Sequence, residues 1–148
     1  MTMDPRSAYR ESAARGTSPV GQVVLLYEQV VDDLRRAERA LEAHQVEQRT
    51  HAINHALLIV GHLQSKLNRN AGGEVAGNLD HFYSMTRRYL LEAQLQSSNL
   101  ILTEQIGLWL DLRDAWNKVN QAEIEKQSTE PNSGGPPGAT TATRDWSA

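Results

Sequence analysis

Four histidines, His44, His51, His55 and His62, lie seven, four and seven residues apart. On a helix that turns roughly 100° per residue they fall within about 60° of one another. His51 and His55, at i and i+4, have the spacing with which two imidazoles chelate one metal ion. The shell is not completed, because the chain has no cysteine and no neighbouring carboxylate joins the pair. The stripe also lies almost opposite the one formed by Ile53, Ala56, Val60, Leu63 and Leu67. It is read as a solvated face, with a partner surface and a metal site as the alternatives. A di-iron centre in a helical bundle needs inward Glu-x-x-His motifs. None is present, the nearest spacing being Glu47 to His51, and the inward positions of the first, third and fourth helices carry no carboxylate ladder. The serines sit mostly near the two ends of the chain and between Gln94 and Asn99, with no Gly-x-Ser-x-Gly elbow. Gly72-Gly73 lacks the Walker spacing and the Lys-Ser/Thr of a phosphate loop. Arg35-Arg36 and Arg87-Arg88 read as salt-bridged surface. These residues assemble no active site, so no enzyme and no cofactor are expected.

The elements that position these residues are helical. Ser18 is placed to cap free amides and Pro19 loses no hydrogen bond at a first helical position. Apolar residues then recur in steps of three and four from Val20 through Val24, Tyr27, Val31 and Leu34 to Leu41, which predicts a helix over about 19–43. A second pattern runs from Val46 through Ile53, Val60 and Leu63 to Leu67, and stops at Asn68-Arg69-Asn70-Ala71-Gly72-Gly73. A third carries Val75, Leu79, Phe82, Thr86, Tyr89, Leu90 and Ala93, with Glu74 suited to its positive N-terminus. A fourth carries Leu102, Ile106, Trp109, Leu112, Trp116 and Val119 and frays near Lys126. The expected fold is all-α: an antiparallel four-helix bundle over residues 18–126. Residues 1–17 are read as a mobile N-terminal arm or short extra helix. Residues 127–148, rich in Pro, Gly, Ser and Thr, are read as a disordered tail whose only large apolar group is Trp146.

Composition narrows the function further. The 148 residues carry a formal net charge of −3, and the sequence pI is near 5.9. This argues against nucleic-acid binding through bulk basicity. Met1 to Ser18 has no apolar segment of a secretory signal, and no stretch approaches the roughly 18–20 apolar residues of a membrane span. A cytosolic protein without membrane insertion is expected. What the sequence has in excess is apolar surface. On the fourth helix Leu102, Ile106, Trp109 and Trp116 form one stripe. Ile101, Leu108, Leu112, Ala115 and Val119 form a second, about 80–100° around the cylinder. Leu91 and Leu95 lie nearly opposite the core stripe of the third helix, and Leu58 sits among the histidines of the second. Together they suggest a groove that receives an apolar helix. The plainer alternative is that the fourth helix is the central, most buried one.

Several short motifs follow one another along the chain: Ala8-Tyr9, Thr17-Ser18-Pro19 and Leu25-Leu26-Tyr27-Glu28. They continue in Gly72-Gly73-Glu74-x-Ala76-x-Asn78-Leu79 and Phe82-Tyr83-x-Met85-x-Arg87-Arg88-x-Leu90-x-x-Ala93, and end in Ala115-Trp116-Asn117-Lys118. By these motifs, over residues 8–120, the sequence resembles the FliS family of flagellar secretion chaperones. Arg6 beside the tyrosine, Tyr83-Ser84-Met85 in place of Tyr-Asp-Tyr, and Gln94 in place of asparagine depart from the family pattern. The resemblance implies a cytosolic bundle that binds the C-terminal segment of flagellin and prevents its premature polymerisation. It also implies delivery to the cytoplasmic domain of the flagellar type III export gate. By the same resemblance Tyr9 belongs to an arm that covers the groove in the free protein and takes part in gate docking.

The partner-binding residues expected are therefore Tyr9, Leu58, Leu91, Leu95, Ile101, Leu108 and Leu112, with a homodimer expected as one state of the free protein. A generic four-helix adaptor for an amphipathic helix of another protein is the alternative.

Overall fold

In the computed structural model the described residues are 18–67 and 69–129. They form four helices: α1 (Pro19–Glu42), α2 (Val46–Ser65), α3 (Arg69–Gln96) and α4 (Asn99–Thr129). Neither Tyr9 and the expected arm, nor Trp146 and most of the expected tail, lie within the described residues. α4 runs to Thr129, three residues past the boundary read from composition.

The junctions follow from local chemistry. Ser18 is extended, and its hydroxyl accepts the Gly21 amide at 2.8 Å, so Pro19 opens α1 at a position that needs no donor. α1 closes through the Ala43 amide on the Arg39 carbonyl, and His44 turns the chain with φ 57°. His44 thus lies in the turn and not on the α2 stripe expected from its spacing. The α2–α3 connection is shorter than the Asn-Gly stretch suggested. Helical backbone resumes at Arg69 and breaks once, at Gly73, where φ is 58° and ψ is −135°. Only glycine takes that conformation without strain. Its neighbour Gly72 is required for space, since a Cβ there would stand 2.5 Å from that of Ala76. Ser97, with φ 52°, ends α3, and the Ser98 hydroxyl accepts the Ile101 amide at 3.2 Å to cap α4.

The helices close a square in chain order: α1 packs on α2 and on α4, α2 on α3, and α3 on α4. The contact is most extensive around α1 and sparsest between α3 and α4. Val24, Tyr27, Val30, Leu34 and Ala37 of α1 are fully buried, and so is Trp109 of α4. The most buried helix is therefore α1, not α4. At the centre Trp109 stacks on Tyr83 (centroids 5.9 Å apart, planes at 16°) and meets the edge of Tyr27 at 5.1 Å. The Trp109 indole N–H donates to Thr86 Oγ1 at 3.2 Å. The Tyr27 and Tyr83 hydroxyls share a hydrogen bond of 2.5 Å across the core. Burial is the first cause holding both phenols above their ordinary value. For Tyr27 the neighbouring Tyr83 adds to the rise, while a hydrogen bond with Trp116 opposes it.

Candidate functional site

All four histidines of the expected stripe are exposed, as a solvated face would be, and one of them, His55, also bonds across to α1. Asp33 of α1 is wholly buried, and one of its oxygens lies 2.6 Å from Nδ1 of His55. Its other oxygen takes the Arg36 guanidinium and, at 3.2 Å, the Gln29 amide. A carboxylate does neighbour the stripe, contrary to the expectation from sequence, but it arrives from α1 and its lone pairs are engaged. The cluster tethers α2 to α1. Asp33 is spaced for this, since it precedes Ala37 and Ala40 by four and seven residues on the buried face of α1. Among the described residues no group of three His, Cys, Asp or Glu side chains converges as a metal site would require. Of the arginine pairs, Arg36 is held by Asp33 and Arg87 reaches the Gln64 amide oxygen at 3.4 Å.

Apolar surface is where the molecule has something to offer. A groove of about 300 Å³ opens between the first turns of α1, the last turn of α2, the middle of α3 and Trp116 of α4. Val23, Leu26, Leu67, Leu79 and Trp116 form its apolar walls, with His62 and Lys66 at its margin. A second hollow of about 260 Å³ follows the α3–α4 seam and is walled by Val75, Leu79, Leu112, Ala115, Trp116 and Val119. Leu79 and Trp116 line both, so the two hollows are neighbours and together make up an apolar trough.

The break at Gly73 and the sparse α3–α4 contact explain the trough. Once the helix resumes after Gly73, Val75 lies 61% exposed and is not in the core as its spacing suggested. Tyr89 of the same expected core stripe is also exposed. Beyond Trp109 the aromatic group on the seam is Trp116, which is only half-buried.

The expected partner-binding residues separate into two surfaces. Ile101, Leu108 and Leu112 lie along α4, with Leu108 48% exposed and the other two half-buried against the core. Leu58, Leu91 and Leu95 are exposed on α2 and α3, away from the trough. The antiparallel α2–α3 register is set by Gln64, which donates to Asp80 Oδ1 at 2.8 Å and Ser84 Oγ at 2.9 Å, and by Gln94, which donates to Thr50 at 2.5 Å. That register sets α2 and α3 side by side, each carrying exposed leucines. Of the residues expected in the core from periodicity, Val75 is exposed on the wall of the trough, while Leu79 and Trp116 pack against the core and present a further side to the trough.

The family model described as flagellar protein FliS matches residues 2–123. The chain is 29% identical over 110 residues to the flagellar secretion chaperone FliSB of Pseudomonas aeruginosa, covering 74% of this chain and 87% of that protein. It is 28% identical over 120 residues to the flagellar secretion chaperone FliS of Bacillus subtilis, with 81% and 89% covered. To the FliS of Salmonella typhimurium it is 31% identical over 111 residues, with 74% and 82% covered. These relatives are named as chaperones and not as enzymes, in keeping with a bundle whose offering is apolar surface. Among the described residues no helix is long and apolar enough to cross a membrane. By the extent of the match and by its helical fold, the chain belongs to the FliS family of flagellar secretion chaperones.

Proposed function

We propose that this protein is a cytosolic export chaperone that binds the C-terminal segment of flagellin and prevents its premature polymerisation. It then delivers the subunit to the cytoplasmic domain of the flagellar type III export gate. The observation that carries the reading is the apolar trough, whose two neighbouring hollows share Leu79 and Trp116 and one of which follows the α3–α4 seam. An amphipathic client helix lays its apolar face into such a trough, and binding is stoichiometric with no bond made or broken. Leu108 and Leu112 anchor the client in the seam, and Leu58, Leu91 and Leu95 hold a further stretch as it wraps around α2 and α3. Tyr9, expected to take part in gate docking, lies outside the described residues.

The test is calorimetric titration with the C-terminal segment of the flagellin of the same organism. One-to-one binding with a strongly negative heat-capacity change is expected from burial of about 1,000–3,000 Å² in coupled folding and binding. Absence of binding at high micromolar concentration would overturn the reading and leave a helical adaptor for another protein.

A further inference from the structure

The two hollows of the trough share Leu79 and Trp116 but differ in charge. The one along the α3–α4 seam is lined by Val75, Leu79, Leu112, Ala115, Trp116 and Val119, with no charged group among them. The other is bordered by His62 and Lys66 of α2. Among the described residues no carboxylate lines either hollow. The chain as a whole carries 18 Asp and Glu against 15 Lys and Arg, so this margin runs against its overall balance.

The end of α2 explains why both side chains are open to the groove. His62 and Lys66 stand at i and i+4, and the Lys66 amide donates to the His62 carbonyl at 3.2 Å. They therefore share one flank of the helix end, while Leu63 between them is buried in the core. Both are exposed, and among the described residues neither has an ion-pair partner. A cation at a helix C-terminus can serve the helix alone, by opposing its negative end. That role needs no hollow beside it. Here Lys66 borders an apolar groove, where an opposite charge brought in by an occupant is screened less than in open water.

We propose that Lys66, with His62 beside it, is a specificity-determining residue of the trough: it selects a client helix that carries an aspartate or glutamate at the flank of its apolar face. The inference rests on the reading that the trough takes an amphipathic segment of flagellin. Apolar contacts with Val23, Leu79 and Trp116 are non-directional and accept such a helix in either direction. A cation at one end of an otherwise uncharged trough breaks that symmetry. One direction sets the carboxylate against Lys66, and the reverse direction leaves it over the uncharged seam. The carboxylate accepts from the Lys66 ammonium and from a ring N–H of His62.

The test is calorimetric titration of the full chain with the flagellin C-terminal segment at low and at high salt. Wild type, Lys66→Met, Lys66→Arg and Lys66→Glu are compared, together with thermal melting of the free proteins. At low salt Lys66→Met is expected to bind about fivefold more weakly than wild type and Lys66→Glu about tenfold or more, with Lys66→Arg close to wild type. High salt should weaken the wild type and bring it close to Lys66→Met. A helix-end role alone would lower melting in Lys66→Met without moving the salt dependence of binding. Changing one aspartate or glutamate of the segment to lysine should weaken its binding to wild type and restore its binding to Lys66→Glu. Wild-type affinity of Lys66→Met at low salt, or no restoration of Lys66→Glu by any such change, would overturn the selectivity while leaving the docking reading intact. Failure of the wild type to bind the segment would remove the docking reading and this inference with it.

Discussion

The two flanks of α4 differ in how they are closed. Toward α1 the helix meets a continuous buried face built from Val24, Tyr27, Val31, Leu34 and Ala37, with small residues letting the backbones approach. Polar links seal the rim: Thr103 to Glu38, Arg113 within 3.8 Å of Glu28, and Ser18 to Asn120. Toward α3 the contact is made chiefly by one aromatic cluster, Phe82, Tyr83 and Trp109, and beyond it Val75, Leu108 and Val119 stay exposed. The same residue types thus serve two ends. Where the neighbouring helix is close they supply stability, and where it stands off they supply a surface for something else. Stability and binding should therefore respond to different substitutions on one helix.

The largest expected effect is at Trp109, which belongs to both flanks. Trp109→Ala removes the group that stacks on Tyr83 and meets Tyr27, and leaves Thr86 without its donor. A loss of about 3–5 kcal/mol is expected in urea denaturation followed by circular dichroism. A loss under about 1 kcal/mol would mean that the cluster is not what joins α3 to the rest.

The converse effect is expected at Leu108. Its side chain is 48% exposed, so Leu108→Asp should leave helicity and melting temperature close to wild type. It should also weaken binding of the flagellin segment by about thirtyfold or more, as expected for an anchor residue in a groove. Ile101→Asp separates the flanks less cleanly, because Ile101 is half-buried against the core and should lower the melting temperature as well. If Leu108→Asp unfolds the protein, or binds normally, the division between a stabilising and a binding flank fails.

Legibility from sequence divides along the same line. The number of helices, the cap at Ser18 and the buried stripes of α1 and α2 follow from periodicity, because those faces pack against near neighbours and the apolar arc is filled. On α3 the same rule misassigns Val75 and Tyr89. Periodicity tells which residues share a face, but not whether a neighbouring helix stands close enough to cover it. Asp33 was hidden for a related reason: a carboxylate at an apolar position reads as an interruption until His55 arrives from another helix to hold it. The exposure of Leu58, Leu91, Leu95 and Leu108 was visible as surplus. The trough was not, since its walls at Leu79 and Trp116 look like ordinary core positions.

A medium effect probes the hydroxyl pair that joins α1 to α3 at the centre of the core. Burial holds Tyr27 and Tyr83 above the ordinary tyrosine value of about 10, so the folded protein keeps these protons where the unfolded chain releases them. Below pH of about 10 both states are protonated and the pair makes no pH-dependent contribution. Above it the unfolded state binds fewer protons and stability falls as pH rises. Tyr27→Phe should flatten that alkaline fall and cost about 1–3 kcal/mol at neutral pH, by leaving the Tyr83 hydroxyl unpaired. Denaturation midpoints from pH 8 to 11, compared between the two proteins, check both parts, and parallel alkaline slopes would reject the role assigned to Tyr27.

The smallest expected effect lies where the closed flank meets the trough. The Ser18 hydroxyl does two things: it accepts the Gly21 amide to cap α1, and it donates to Asn120 Oδ1 at 3.0 Å, tying the start of α1 to α4. Pro19, the next residue, already lines the trough. Ser18→Ala loses both bonds and should lower stability by about 1 kcal/mol. Ser18→Gly removes the same hydroxyl, but glycine is tolerated at a cap with a loss of only a few tenths of a kcal/mol. Any deficit of the glycine variant beyond that measures the tie to Asn120. A deficit equal to that of alanine would assign the loss to the tie between the two helices. A deficit near zero would assign it to the cap, and the rim of the closed flank would then be held by Thr103 and Arg113 without help from Ser18.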